Sequence, residues 1–374
     1  MNDTLQDMMR EATRLTQSGN LTEATELIQR ALSASKAPTT PTAPAAPTTP
    51  ITPNVAPQPS AANAPFVIDG IVVNRCVDDA PTHAESNSAG DFISGSHTHQ
   101  GLTRNYKLYV PTQHVDRARP LVVMLHGCTQ NPDDFAAGTD MNARAREQGF
   151  FVLYPEQSQD GNAQRCWNWF ARAHQQRGGG EPALLAAMTQ WVMTQYGIDA
   201  RRVYIAGLSA GGAMADIVAA SYPEIYAAVG IHSGLPRGSA SNVAGAFAAM
   251  KNGEPTSRAS AKVSVAQVPS IVFHGDADQT VHPKNGEQVI AALLRGVKSR
   301  EPSLAQGIAN GGRSYTQSTY RTNTGETVAE HWLVKGAGHA WSGGSSKGSY
   351  SDAKGPDASG EMLRFFFEHP LRPE

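Results

Sequence analysis

Among the residues able to do chemistry, the most specific arrangement is Gly207-Leu208-Ser209-Ala210-Gly211. A serine hydroxyl is a poor nucleophile until it is held out from the backbone and supplied with a base. The five residues follow the apolar run Val203-Tyr204-Ile205-Ala206 and open a helical segment around Met214 to Ala220. That order predicts a sharp strand-to-helix turn with Ser209 at its tip. Glycine on each side lets neighbouring backbone pass close by, and the helix start turns amide N–H groups toward any negative charge that develops there. The chemistry this setting fits is acyl transfer through a covalent intermediate on Ser209.

Such a serine needs a histidine, and on this kind of turn the partners follow in the order serine, acid, histidine. His232, His274, His282, His331, His339 and His369 come after Ser209. His339 has the right setting, in the loop KGAGHAWSGG directly after a strand-like run; His331 falls inside that run, His369 in the C-terminal tail and His274 in an HG turn. The acid is expected one strand earlier, where SIVFHGDAD offers Asp276 and Asp278. Spacing alone does not separate them, and aspartate beside glycine is also a common turn cap. The oxyanion needs donors: the backbone N–H of Ala210 is one, and that of Cys128 in LHGCTQ is the other. No cofactor or metal is called for, since Cys76, Cys128 and Cys166 match no common zinc spacing.

The elements that must position these residues are short apolar runs, each ending in a Gly-rich or polar turn: PLVVMLHG, GFFVLYPE, RRVYIAGLS, AAVGIHSG, PSIVFHGD and EHWLVKGAG. Helical segments such as PALLAAMTQWVMTQYG and GGAMADIVAASYP lie between several of them. Buried strands alternating with helices predict an α/β fold with a mostly parallel sheet covered on both faces. Ligand sites in such sheets gather at the carboxyl ends of the strands, where every candidate above falls. Before them come RNYKLYVP, which alternates like a strand, and a stretch of polar and small residues from Cys76 to Gln100.

The first 65 residues are of another kind. Residues 1–32 carry apolar positions at helical spacing on either side of Ser18-Gly19-Asn20, which predicts a small helical hairpin. The stretch SGNLTEATELIQRAL resembles half of a tetratricopeptide unit, and because such units are stable only when stacked, residues 5–32 are expected to bind a protein partner or to self-associate. Residues 33–65 are almost all Ala, Pro, Thr and Ser and read as an extended spacer. The catalytic domain is expected over 66–374. Net charge is −2, so no strong field recruits nucleic acid or an anionic membrane surface. No apolar run approaches the ~18 residues that cross a bilayer. The start MNDTLQDMMREATRLTQ lacks the basic and unbroken apolar segments of a secretory signal, so a cytoplasmic protein is expected.

From about Asn105 to Phe367 the chain resembles the esterase family of polyhydroxybutyrate depolymerases, which also holds feruloyl and acetylxylan esterases. RNYKLYVP, LVVMLHGCTQNPDDFA, VLYPEQS, RCWNWF, RVYIAGLSAGGAMA, VFHGDADQTVHP and GAGHAWSGG carry the resemblance. It implies an α/β-hydrolase fold, a triad of Ser209, Asp278 and His339, and a substrate that is a short-chain ester or polyester. Asp278 is favoured over Asp276 by the family's HG-x-x-D motif, and Cys128 corresponds to its second oxyanion donor. The resemblance further implies that Trp167, with Trp169 as second choice, lines the acyl groove, and that Cys128 and Cys166 pair as a disulfide. It makes an extracellular location the alternative. The rival readings are a serine peptidase of the prolyl-oligopeptidase type and a non-catalytic binding protein on a hydrolase scaffold.

Overall fold

The computed structural model describes residues 67–68, 71–72, 90–112, 118–253 and 268–372, all within the unit Ala64–Glu374. The expected hairpin over 1–32 and spacer over 33–65 lie outside the described residues, as does Cys76. In chain order the strands are β1 (Val67–Ile68), β2 (Ile71–Val72), β3 (Asp91–His99), β4 (Leu102–Val110), β5 (Arg119–Leu125), β6 (Phe151–Pro155), β7 (Ile198–Leu208), β8 (Ala228–His232), β9 (Ser270–Gly275), β10 (Ser303–Ile308), β11 (Ser314–Arg321), β12 (Thr327–Val334), β13 (Trp341–Ser342) and β14 (Ser351–Asp352). The helices are α1 (Pro132–Thr139), α2 (Met141–Gln148), α3 (Gly180–Tyr196), α4 (Ala210–Ser221), α5 (Val243–Asn252), α6 (Lys284–Leu293) and α7 (Ala358–Glu368).

Ten strands form one sheet in the order β10-β11-β12-β9-β8-β7-β5-β6-β4-β3. The six central strands, β12 to β6 in that order, run parallel, and the flanking pairs are antiparallel. The centre is parallel because its strands are apolar on both faces. All seven residues of β5 are buried: Leu121, Val123 and Leu125 pack with Met188 and Val192 of α3 and Met214 and Val218 of α4. Val122 and Met124 join the cluster on the opposite face, with Phe135 of α1, Met141 of α2 and Phe365 and Phe366 of α7. Residues 91–99, part of the stretch that reads as merely polar, form the edge strand β3. Strand β11 is likewise largely polar, and β10, exposed along most of its length, closes the other edge. An edge strand has little to bury, so hydrophobic alternation marks it poorly.

Two features of the topology assemble the site. The chain passes from β5 to β6 on one side and then returns to place β7 on the other side of β5, which opens a crevice above the carboxyl ends of β5 and β7. The registers also end level: Leu125 pairs Gly207, Leu208 pairs His232, and Gly275 pairs Val334. The loops after β5, β7, β9 and β12 therefore leave the sheet at the same edge.

Candidate active site

Ser209 directly follows β7 and caps α4 with φ 58° and ψ −119°, a region that a residue with a Cβ rarely adopts. Tight packing holds it there. Its N–H donates to the His232 carbonyl at 2.8 Å and its own carbonyl accepts from Ala213 at 3.0 Å. A Cβ on Gly211 would stand 2.1 Å from the Leu125 carbonyl oxygen, and one on Gly207 would stand 2.4 Å from the Gly211 backbone. The two glycines let the turn lie backbone-on-backbone against the end of β5, which brings the start of α4 to the loop that carries Cys128.

That loop is fixed on three sides. Gln130, buried, accepts from the Gly127 N–H at 2.9 Å and donates from Nε2 to Asp134 at 2.9 Å and to the Ser349 carbonyl at 3.2 Å. The Thr129 N–H donates to the Gln164 carbonyl at 2.7 Å, and Cys128 is bonded to Cys166. The Cys166 loop is anchored in turn by Glu181 at the start of α3. Fully buried, Glu181 accepts from the Asn168 N–H at 2.8 Å, its Nδ2 at 2.7 Å and Gln157 Nε2 at 2.5 Å. Among the described residues no protein group accepts from the backbone N–H of Cys128 or of Ala210.

The two aspartates that spacing left unresolved have different partners. Asp276 accepts from the Gly336 N–H at 2.6 Å and pairs with Lys335 at 3.4 Å, tying the turn after β12. Asp278 Oδ2 meets His339 Nδ1 at 2.7 Å, while its Oδ1 accepts from the amides of Thr280 and Val281, both at 2.9 Å. Burial works to raise the Asp278 pKa, but hydrogen bonds from His274 and His339, the charge on His339 and the Val281 amide outweigh it. The carboxyl is held well below the ordinary carboxylate range. An ionised Asp278 only accepts, so Nδ1 of His339 carries a proton, and in the neutral ring the lone pair is then on Nε2.

His232, to which the sequence assigned no role, joins the Ser209 turn to the segment that follows His339. Its carbonyl receives the Ser209 N–H and its Nε2 receives the Ser342 N–H at 2.9 Å, with the ring stacked between Phe273 and Trp341. At the start of the Cys128 loop His126 accepts the Gln157 N–H at Nε2, at 3.1 Å. Burial lowers the pKa of His232 from 6.5 to about 3, and those of His126 and His331 from 6.5 to about 4. The unfolded chain therefore takes up protons near pH 6.5 that the folded protein refuses until pH 3–4. The stability these rings contribute is complete above about pH 6.5 and is lost as the pH falls from there toward 3–4. Three such rings are expected to cost about 5 kcal/mol between pH 7 and pH 5, read from urea unfolding at the two values. A loss under ~1 kcal/mol would mean the rings take up protons while folded.

Both tryptophans expected to line the acyl groove are buried. Trp167 is 0% exposed and Trp169 4%, and both belong to the apolar core on the α3 and α4 face. The Trp167 indole donates to the His126 carbonyl at 3.1 Å, so it braces the oxyanion loop from beneath. Trp341 is also buried, donating to Ser359 Oγ at 3.0 Å. The exposed aromatic residue beside His339 is Tyr350, 46% exposed and edge-on to it with ring centroids 6.4 Å apart. Among the described residues no group of three or more His, Cys, Asp or Glu side chains is arranged to hold a metal ion, and no helix is long and apolar enough to cross a membrane.

Residues 104–305 match the family described as Esterase PHB depolymerase. Poly(3-hydroxyalkanoate) depolymerase C of Paucimonas lemoignei is 30% identical over 258 residues, which cover 66% of this chain and 60% of that protein. Acetylxylan esterase A of Emericella nidulans is 31% identical over 195 residues, 48% of this chain and 63% of that protein. The chain thus spans about six-tenths of the length of these curated relatives. Among solved structures, the acetyl xylan esterase from Aspergillus awamori aligns with a TM-score of 0.55 at 19% identity, over 71% of this chain and 94% of that one. At that identity the likeness speaks for the α/β-hydrolase fold alone.

Proposed function

The chain belongs to the Esterase PHB depolymerase family, and on that premise we propose that it is a serine hydrolase of carboxylic esters with short acyl or hydroxyacyl units. The observation that carries the reading is the His339–Asp278 pair at 2.7 Å, set at the same sheet edge as a strained serine and two unclaimed amides. In the reaction Ser209 Oγ attacks the ester carbonyl while His339 Nε2 takes its proton, and Asp278 stabilises the imidazolium. The amides of Cys128 and Ala210 hold the oxyanion. Collapse of this intermediate expels the alcohol, protonated by His339, and leaves an acyl-enzyme on Ser209. Water then repeats the sequence and releases the acid.

The relatives support two substrate classes, polyesters of hydroxyacids first and acetylated xylan second, with feruloyl esters as a further alternative. The Cys128–Cys166 bond supports the extracellular alternative over a cytoplasmic location, because disulfides persist in oxidising compartments. The test is a panel of p-nitrophenyl esters from acetate to palmitate beside a chromogenic peptide, with intact-mass detection of acylated Ser209. Acetate and butyrate are expected to be the best substrates, since each CH₂ left in water forgoes ~0.8 kcal/mol of binding. Faster cleavage of the peptide, or peak activity on palmitate, would overturn the reading.

A further inference from the structure

The loop that carries Tyr350 is fastened along its length, yet the ring is left in solvent. Ser349 donates to Asp134 through its N–H at 2.8 Å and its Oγ at 2.5 Å. Gly348 lies so close to α1 that a Cβ on it would stand 2.4 Å from the Asp134 carbonyl oxygen. The Tyr350 carbonyl accepts from the Trp341 N–H at 2.7 Å, and Ser351 and Asp352 pair in β14 with Trp341 and Ser342 in β13. Between these ties Tyr350 is held at φ 49°, where glycine would sit without strain. Its phenolic oxygen lies 3.4 Å from Thr129 Oγ1. Thr129 is an exposed β-branched residue at φ 67°, directly after Cys128. Two residues with strained backbones, one from the Cys128 loop and one beside His339, thus meet through their side chains across the rim of the site, and strain of this kind persists where the surroundings impose it.

From this we infer that Tyr350, with Thr129, forms the binding surface for the alcohol side of the ester, and that it selects alcohols that present a ring or further oxygen atoms. The inference rests on the esterase reading above and deepens it. His339 must pass its proton to the leaving alcohol oxygen, so the alcohol lies beside His339, and the exposed residue edge-on to His339 is Tyr350. A phenol ring gives a flat apolar face with a hydroxyl at its far end. That chemistry suits a sugar ring or the next hydroxyacyl unit of a polyester, whereas a bare methyl or ethyl alcohol leaves the ring unused. Because the alcohol has departed before water attacks, Tyr350 acts on acylation and has no part in deacylation.

The experiment holds the acyl group constant and varies the alcohol. Methyl 3-hydroxybutyrate is compared with the linear dimer of 3-hydroxybutyrate, and ethyl acetate with acetylated xylo-oligosaccharide. Tyr350→Ala is expected to lower kcat/KM roughly tenfold for the larger member of a pair, the size of one lost aromatic contact. The smaller member should change less than about twofold, and the pair with the greater contrast identifies the alcohol as hydroxyacyl or sugar. The rate of deacylation in single-turnover measurements should stay at the wild-type value. Tyr350→Gly separates binding from folding: it relieves the backbone, so Tm should hold or rise while the same selective loss appears. Equal losses on both members of both pairs, slowed deacylation, or wild-type kinetics in the folded glycine variant would each overturn the inference. Ser209→Ala serves as the control for the underlying reading: if it retained activity on these esters, the esterase mechanism would fail whatever Tyr350 does.

Discussion

Ser209→Ala is expected to lower turnover on p-nitrophenyl butyrate by about 10⁴–10⁶-fold, the cost of removing the nucleophile from a group that acts as a unit. The hydroxyl oxygen is the single heavy atom removed, and the surroundings that hold residue 209 are backbone: the His232 carbonyl on its N–H and the Ala213 amide on its carbonyl. The fold and the turn should therefore persist, and Tm should stay within a few degrees of the parent. The φ of 58° adds a second readout. Ser209→Gly removes the same hydroxyl and also relieves a strained backbone, worth of order 1–3 kcal/mol, so it should be as inactive as the alanine variant and more stable. Activity retained in either variant would move the nucleophile elsewhere. Loss of activity with loss of the folded state would leave Ser209 a structural residue.

What the sequence could show here depended on how local the determining physics is. Ser209 was legible because a strand, two glycines and a helix start are contiguous, and His339 because its loop closes the last parallel strand. Asp276 and Asp278 were not separable by spacing. Their difference lies in which partner each meets, Gly336 N–H for one and the His339 ring for the other, about 60 positions away. The existence and parallel sense of the central strands followed from their apolar runs, while their order in the sheet did not; β3 and β11 are mostly polar, and β10 is short and exposed.

Side chains that act across elements were the ones the sequence hid. An indole looks the same whether it lines a groove or fills a core, and only burial shows that Trp167 supports the His126 carbonyl from below. His232 carries one local signal: it ends a strand at the sheet edge where the other site residues gather. Gln130 links Gly127, Asp134 and Ser349, partners that no local pattern joins. Tyr350 stands in the run Gly-Ser-Tyr-Ser-Asp, which reads as loop, and its importance comes from a backbone angle that composition does not encode.

The acid gives the second large effect, and two nearly isosteric substitutions divide its possible roles. Asp278→Asn is expected to cost about 10⁴-fold in turnover. The ionised carboxylate receives the Nδ1 proton of His339 and so leaves Nε2 free to accept one from Ser209. An asparagine can turn its NH₂ toward Nδ1, because its carbonyl oxygen is also wanted by the amides of Thr280 and Val281, which now meet Oδ1 at 2.9 Å. The imidazole would then carry its proton on Nε2, the wrong tautomer for a base, and the imidazolium would lose its counter-charge. Asp276→Asn keeps an oxygen for the Gly336 N–H and gives up only an ion pair with Lys335, whose side chain is 63% exposed. Pairs of that kind contribute about 0–1 kcal/mol, so turnover should change less than about threefold. Measured side by side at pH 7.5, where both proteins are folded, a larger loss at Asp276 would transfer the acid's role to that residue, and comparable large losses would show that the loop after β9 responds as a whole rather than through one carboxylate.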